Sequence, residues 1–190
     1  MSTPRSGPPG RDSDSLSLSA ADDALVEAYD AHFDAIYAYC LGRLFNRELA
    51  EDAASAVFVK LIENRAAAMR LDNAGRRAWL YAAARPIVTN MIRTADVRAR
   101  ILKDLAIARQ SSRPRDGDGG PADFPELDWP ALYATIHRLE LKYQDMLVLR
   151  YIGGLEIPTI ARIVGKKPGA VRTMLWRAIR RLKRQMEAQT

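Results

Sequence analysis

Apolar residues recur every three or four positions along most of the chain, and few stretches alternate as a strand would. Val26, Tyr29, Phe33, Ile36, Tyr37, Cys40 and Leu44 form one such stripe, which predicts an amphipathic helix after residue 21. Asn46 and Arg47 interrupt it. Ala50, Ala54, Val57, Phe58, Leu61 and Ile62 then form a second stripe. A polar stretch from Arg70 to Gly75 offers Asp72 or Asn73 as the N-cap of a third helical zone, Arg76 to Lys103. Pro86 lies inside that zone, where it lacks a donor and crowds the carbonyl of Ala82. A kink or a junction of two helices is expected there.

The pattern lapses over residues 110–128. Residues 111–128 (SSRPRDGDGGPADFPELD) hold three Pro, three Gly and two basic against five acidic residues. Such a segment stays solvated and separates folding units. Helical spacing returns at Leu132, Ile136 and Leu139, then at Met146, Leu147, Leu149 and Tyr151, and Gly153-Gly154 closes the run. A short helix over Ile157 to Val164 follows, with Pro158 in its first turn and Gly165 at its end. Pro168 opens a last helix reaching about Glu187. The expected fold class is all-α, with two small helical domains (residues 21–109 and 129–190) joined by a flexible acidic linker. The second is a helix-turn-helix domain. Residues 1–20, rich in Ser, Pro and Gly, are expected to form a disordered arm.

Composition changes this picture mainly by exclusion. The 190 residues are 48% hydrophobic, enough for a packed core. One cysteine, Cys40, forbids an internal disulfide or a cysteine-clustered metal site, and two separated histidines, His32 and His137, support neither a histidine metal site nor a Ser-His-Asp arrangement. No phosphate-binding glycine loop and no membrane-length apolar run occurs, and residues 1–19 lack the apolar core of a secretory signal. A non-enzymatic, cytoplasmic binding protein without cofactor, metal or membrane partner is the expectation.

Charge is more telling when divided. Arg85 to Lys103 carries +4 and Arg162 to Arg184 carries +9, so the net +6 leaves −7 for the rest of the chain. On a helical wheel Val171, Leu175, Ala178, Ile179 and Leu182 share one face of the last helix, and Thr173, Arg177, Arg180 and Arg184 lie opposite. A major groove admits such a helix, N-terminal turns deepest, so Arg172, Thr173, Trp176, Arg177 and Arg180 are candidate DNA contacts. Arg162, Lys166 and Lys167 would meet phosphates. A solvated or membrane-surface amphipathic helix is the alternative, but it needs neither the short preceding helix nor the tight turn.

Two blocks together are similar to the extracytoplasmic-function sigma factors, specificity subunits of bacterial RNA polymerase. The first is LAEDAASAVFVKL (Leu49–Leu61) with RAWLYAAARPIVTNMIR (Arg77–Arg93). The second is LRYIGGLEIPTIARIVGKKPGAVRTMLWRAIRRLKR (Leu149–Arg184), and the resemblance spans about residues 22–187. It implies that the helix holding Glu51, Asp52, Ser55, Phe58 and Leu61 docks on the beta-prime clamp helices of core polymerase; domain core is the alternative for Phe58 and Leu61, and Phe58 is expected there. It implies that the loop Met69–Gly75 and Arg76, Arg77, Arg85, Asn90 and Arg93 hold a single strand of the minus-ten element, captured as unstacked bases on a basic surface. Trp79 and Tyr81 are expected as core. The linker would run into the polymerase cleft. The second domain would meet the beta flap and read the minus-thirty-five element through Arg162, Lys166, Lys167, Arg172, Thr173, Trp176, Arg177 and Arg180. An anti-sigma factor is an implied partner.

The chain departs from the family pattern at Pro86, where Asn is usual, at Ser55 and Ala56, at Thr159 and at Met174. These differences point to a divergent member with its own promoter sequence. A stand-alone helix-turn-helix regulator and a helical adaptor are the competing readings.

Overall fold

The computed structural model describes residues 12–94, 97, 99–101, 103, 104, 107 and 129–188, and among these every regular element is helical. Residues 1–11 and the acidic segment 110–128 lie outside them. Helix α1 spans Asp12–Leu44 and α2 Arg47–Glu63; α3 is the single turn Arg65–Ala68, and α4 spans Asn73–Arg93. After the acidic segment come α5 (Trp129–His137), α6 (Leu141–Leu147) continued by a π turn (Val148–Ile152), α7 (Ile157–Val164) and α8 (Pro168–Glu187).

Helix α1 starts within the segment assigned by composition to an arm. The prolines and glycines of that segment end at Gly10, ahead of the helix start. Phe45, at φ 46°, turns the chain out of α1, and Asn46 caps α2 by accepting the Leu49 N–H at 2.8 Å. Asp72 caps α4 through the Gly75 N–H at 2.8 Å. Helix α4 then runs unbroken through Pro86, and the chain leaves helical geometry only at Thr94 (ψ 139°). Of the two outcomes expected at Pro86, the junction of two helices does not form. Packing of Tyr81, Ala84 and Val88 on both sides of the proline holds one helix across the missing hydrogen bond.

Helices α1, α2 and α4 bury Ile36, Cys40, Leu44, Ala54, Val57, Leu61, Leu80, Ala84 and Val88 between them. Helices α5 to α8 bury Met146, Leu149, Ile160 and Val171, and a smaller cluster joins Ile136, Leu139, Tyr143 and Leu147 to Ala178. The larger core is continuous across the two units: α4 packs on α7, and α1 on the π turn. The π turn bonds the Gly153 N–H to the Val148 carbonyl at 2.8 Å, one residue beyond α-helical reach. That extra residue brings Ile152 against Gly42 of α1, where even an added Cβ would lie 2.4 Å from Ile152 Cδ1.

Burial on two sides of α1 shifts its inward face from the stripe read in the sequence. Ala28, His32, Ile36, Tyr39, Cys40, Arg43 and Leu44 are enclosed, whereas Val26 and Tyr29 are exposed. Ile62 of α2 and Ile179 of α8, both placed on apolar faces by spacing, are likewise exposed. Tyr29 is instead one rung of an aromatic ladder, 4.8 Å from both Phe33 and Phe58.

Candidate nucleic-acid interface

The recognition helix α8 is set by its turn. Gly165 adopts the left-handed region (φ 65°, ψ 38°), and the Lys166 N–H returns to the Ala161 carbonyl at 3.0 Å, which ends α7. Pro168 starts α8 three residues later. Val171, Leu175 and Ala178 face inward, and burying each of the two larger side chains contributes about 1.5–3 kcal/mol. The opposite face is left to solvent. Arg162, Lys166, Lys167, Arg172, Thr173, Trp176, Arg177 and Arg180, all eight candidates for duplex contact, are exposed.

Trp176 is 58% exposed, and the Arg180 guanidinium sits 5.1 Å from its ring centre. Tyr143, Trp176, Arg177, Arg180, Arg181 and Arg184 line an open recess of 360 Å³. Arg181 lies over Tyr143 and pairs with Glu140, so its charge is spent on holding α8 to α6. Hydrogen bonds from Lys142 and then Arg181 hold the Glu140 carboxyl below the usual range. Spacing along α8 marked Arg184 as outward, but Tyr143 enters the recess from another helix and no sequence signal announced it.

The second basic helix is different. Of the five candidates for single-strand contact, Asn90 and Arg93 are exposed and Arg76, Arg77 and Arg85 are half-buried. Arg76 donates to the Leu71 carbonyl at 3.3 Å. Arg77 donates to the Gly153 carbonyl at 2.7 Å, and Arg85 donates to Asp145 Oδ2 at 2.7 Å and to the Ile163 carbonyl at 3.1 Å. Both thus reach the second unit. Trp79 is half-buried and Tyr81 fully buried, as expected of core side chains. His32 beneath this helix is held below its ordinary pKa by burial, then by Arg76 and Arg77.

On α2, Glu51, Asp52 and Ser55 are exposed, but Leu61 is 1% exposed and Phe58 6%. Leu61 therefore packs the bundle. Val59 and Ile62 continue the line of Asp52 and Ser55 at helical spacing and are exposed. Cys40, buried and free, has its thiol pushed up to about 12 by that burial. Among the described residues no group of three metal-ligating side chains occurs, and no helix is long and apolar enough to cross a membrane.

The fold and this geometry define a helical protein with a C-terminal helix-turn-helix unit. Residues 130–182 match the family model of sigma-70 region 4. Beyond that match, the chain as a whole resembles the extracytoplasmic-function sigma factors. Over 164 residues it is 29% identical to the ECF RNA polymerase sigma factor BldN of Streptomyces coelicolor, covering 85% of this chain. The chain spans about 60% of that relative's length. A similar fold occurs in the sigma factor RpoE of Bartonella quintana, solved with the anti-sigma factor NepR, at a TM-score of 0.54 and 17% identity over 83% of this chain and 93% of that one. A structure of an RsbN–BldN complex aligns over 90% of this chain and 96% of that one, with 23% identity and a TM-score of 0.35.

Proposed function

We propose that this chain is an alternative sigma factor, which binds core RNA polymerase, directs it to one promoter class and promotes strand opening. The observation that carries the reading is the pairing of an exposed basic recognition helix, α8, with a separate helical unit bearing a second basic helix, α4, on one chain similar to such factors along 85% of its length. In this reading α8 reads the minus-thirty-five element as duplex through Arg172, Thr173, Trp176, Arg177 and Arg180, while Arg162, Lys166 and Lys167 fix its register on phosphates. Arg76, Arg77, Arg85, Asn90 and Arg93 hold the unpaired minus-ten strand. The exposed line Glu51, Asp52, Ser55, Val59 and Ile62 meets the beta-prime clamp helices, and the second unit meets the beta flap. An anti-sigma factor is a natural further partner, since the similar RpoE was solved bound to one.

Run-off transcription with purified core polymerase tests the reading. The chain is expected to bind core and to change start-site choice, and failure of both overturns it. Asp52→Arg is expected to weaken core binding while leaving duplex affinity through α8 intact, as read by co-purification and by anisotropy. A stand-alone regulator is not favoured, because the similarity extends well beyond the helix-turn-helix. It would require that residues 21–109 be dispensable for promoter selection.

A further inference from the structure

Asp145 is 5% exposed, and among the described residues the partners that hold its carboxylate belong to the other unit. Tyr39 of α1 donates to Oδ1 at 2.8 Å, Arg43 Nη1 of α1 lies 2.9 Å from Oδ1, and Arg85 Nε of α4 donates to Oδ2 at 2.7 Å. A buried carboxylate without such partners is costly, so Asp145 suits this position only while the units are docked. Around it the contact is completed by Arg77 on the Gly153 carbonyl, Arg85 on the Ile163 carbonyl, and Gly42 beneath Ile152 and Val148.

From these contacts we infer that Asp145 clasps the two units into a closed form, which masks Arg77 and Arg85 until the units separate. The inference rests on the proposed function only in treating those two arginines as nucleic-acid contacts. In the closed form Arg77 Nη2 is bonded to the Gly153 carbonyl, and Arg85 Nε and Nη1 to Asp145 and the Ile163 carbonyl, so these donors turn to a phosphate or base only after those bonds break. Among the described residues Arg76, Asn90 and Arg93 make no bond to the second unit, and α8 presents its basic face to solvent. Closure therefore disables part of the single-strand surface while sparing the duplex surface.

The clasp is also built to yield. The Arg43 guanidinium is 1% exposed, yet Nε, Nη1 and Nη2 make no aligned hydrogen bond, so its pairing with Asp145 is by charge alone. Enclosing a cation with its donors unspent opposes docking, while the apolar contact of Ile152 and Val148 with α1 favours it. Opposed terms of this kind leave a closed state that a competing partner can open.

The test uses the full chain with one spin label on each unit, at Lys60→Cys and Lys183→Cys, both exposed positions, in a Cys40→Ser background so that no other thiol takes the label. Gly42→Leu places a side chain whose Cβ meets Ile152 and Val148 of the second unit first, and leucine favours α1 as a helix, so it is expected to separate the units while keeping α1 helical. Asp145→Asn removes the charge from the other side. Both variants are expected to keep their helical circular dichroism and to lengthen and broaden the inter-label distance. Both should raise affinity for a short single-stranded DNA about tenfold or more, with affinity for duplex unchanged. Unchanged distances in both variants overturn the clasp. Lengthened distances without a gain in single-strand affinity overturn the masking of Arg77 and Arg85. Neither readout needs polymerase, so a chain that fails in run-off transcription can still open on Gly42→Leu, and the two failures are distinct.

Discussion

Helices α4 and α8 are the two basic helices of this protein, and they spend their charge in opposite ways. On α8 one face is packed and the other faces solvent, so Arg172, Arg177 and Arg180 are exposed. Helix α4 is packed against α1 and α2 on one side and α7 on another, and two of its arginines bridge to the second unit. A basic helix at a surface is a binding element. A basic helix at a junction is partly a structural one, and net charge does not separate the two.

Truncation breaks the comparison most sharply. Leu80→Ala on α4, at a site with 0% exposure, should cost about 2–5 kcal/mol in thermal or urea unfolding, because the cavity is enclosed by α1 and α2. On α8 the loss should appear in binding. Arg177→Ala and Trp176→Ala, both exposed, should each cost about 1–3 kcal/mol at particular base pairs of the duplex, with unfolding changed by under about 0.5 kcal/mol. A uniform loss across sequences would reassign them to phosphate contacts.

Acidification sharpens the contrast between the junction and the free face. Burial, and then the nearby Arg43 charge, lower the His137 pKa to about 4 from 6.5. Between those values the unfolded chain binds the proton and the folded chain does not. Stability is therefore complete above about pH 6.5 and falls as the pH drops towards 4, by about 2 kcal/mol at pH 5. Glu140, lowered by Lys142 and Arg181, works in the same direction. Urea unfolding at pH 7 and pH 5 checks this, and His137→Gln should flatten most of the difference. The smallest effect is expected at Lys166, exposed in the turn before α8. Lys166→Ala should weaken duplex binding evenly and reduce the salt slope by about one, as read by titration at several salt concentrations.

Helix by helix, local signals were legible where the cause was local. Asn46, Asp72 and Gly165 end or begin helices through bonds spanning at most five residues, and each does what its residue type announces. The outward face of α8 was equally legible, because a helix packed on one side obeys one period. Ile62, Val26 and Tyr29 were misplaced for the converse reason: α1 and α2 meet neighbours on more than one side, and a single stripe cannot say which apolar residues those neighbours leave uncovered. Pro86 warned of a break that the packing around it overrode.

The sequence by itself determined the helices, the helix-turn-helix and the basic face of α8, since caps, turns and periodicity act within a few residues. Only the tertiary structure decided that Arg77 and Arg85 point into the second unit, and that Asp145 lies 106 positions along the chain from the tyrosine that holds it. A buried charge takes whichever partner the packing of distant helices brings within hydrogen-bond reach, and no local pattern records that choice.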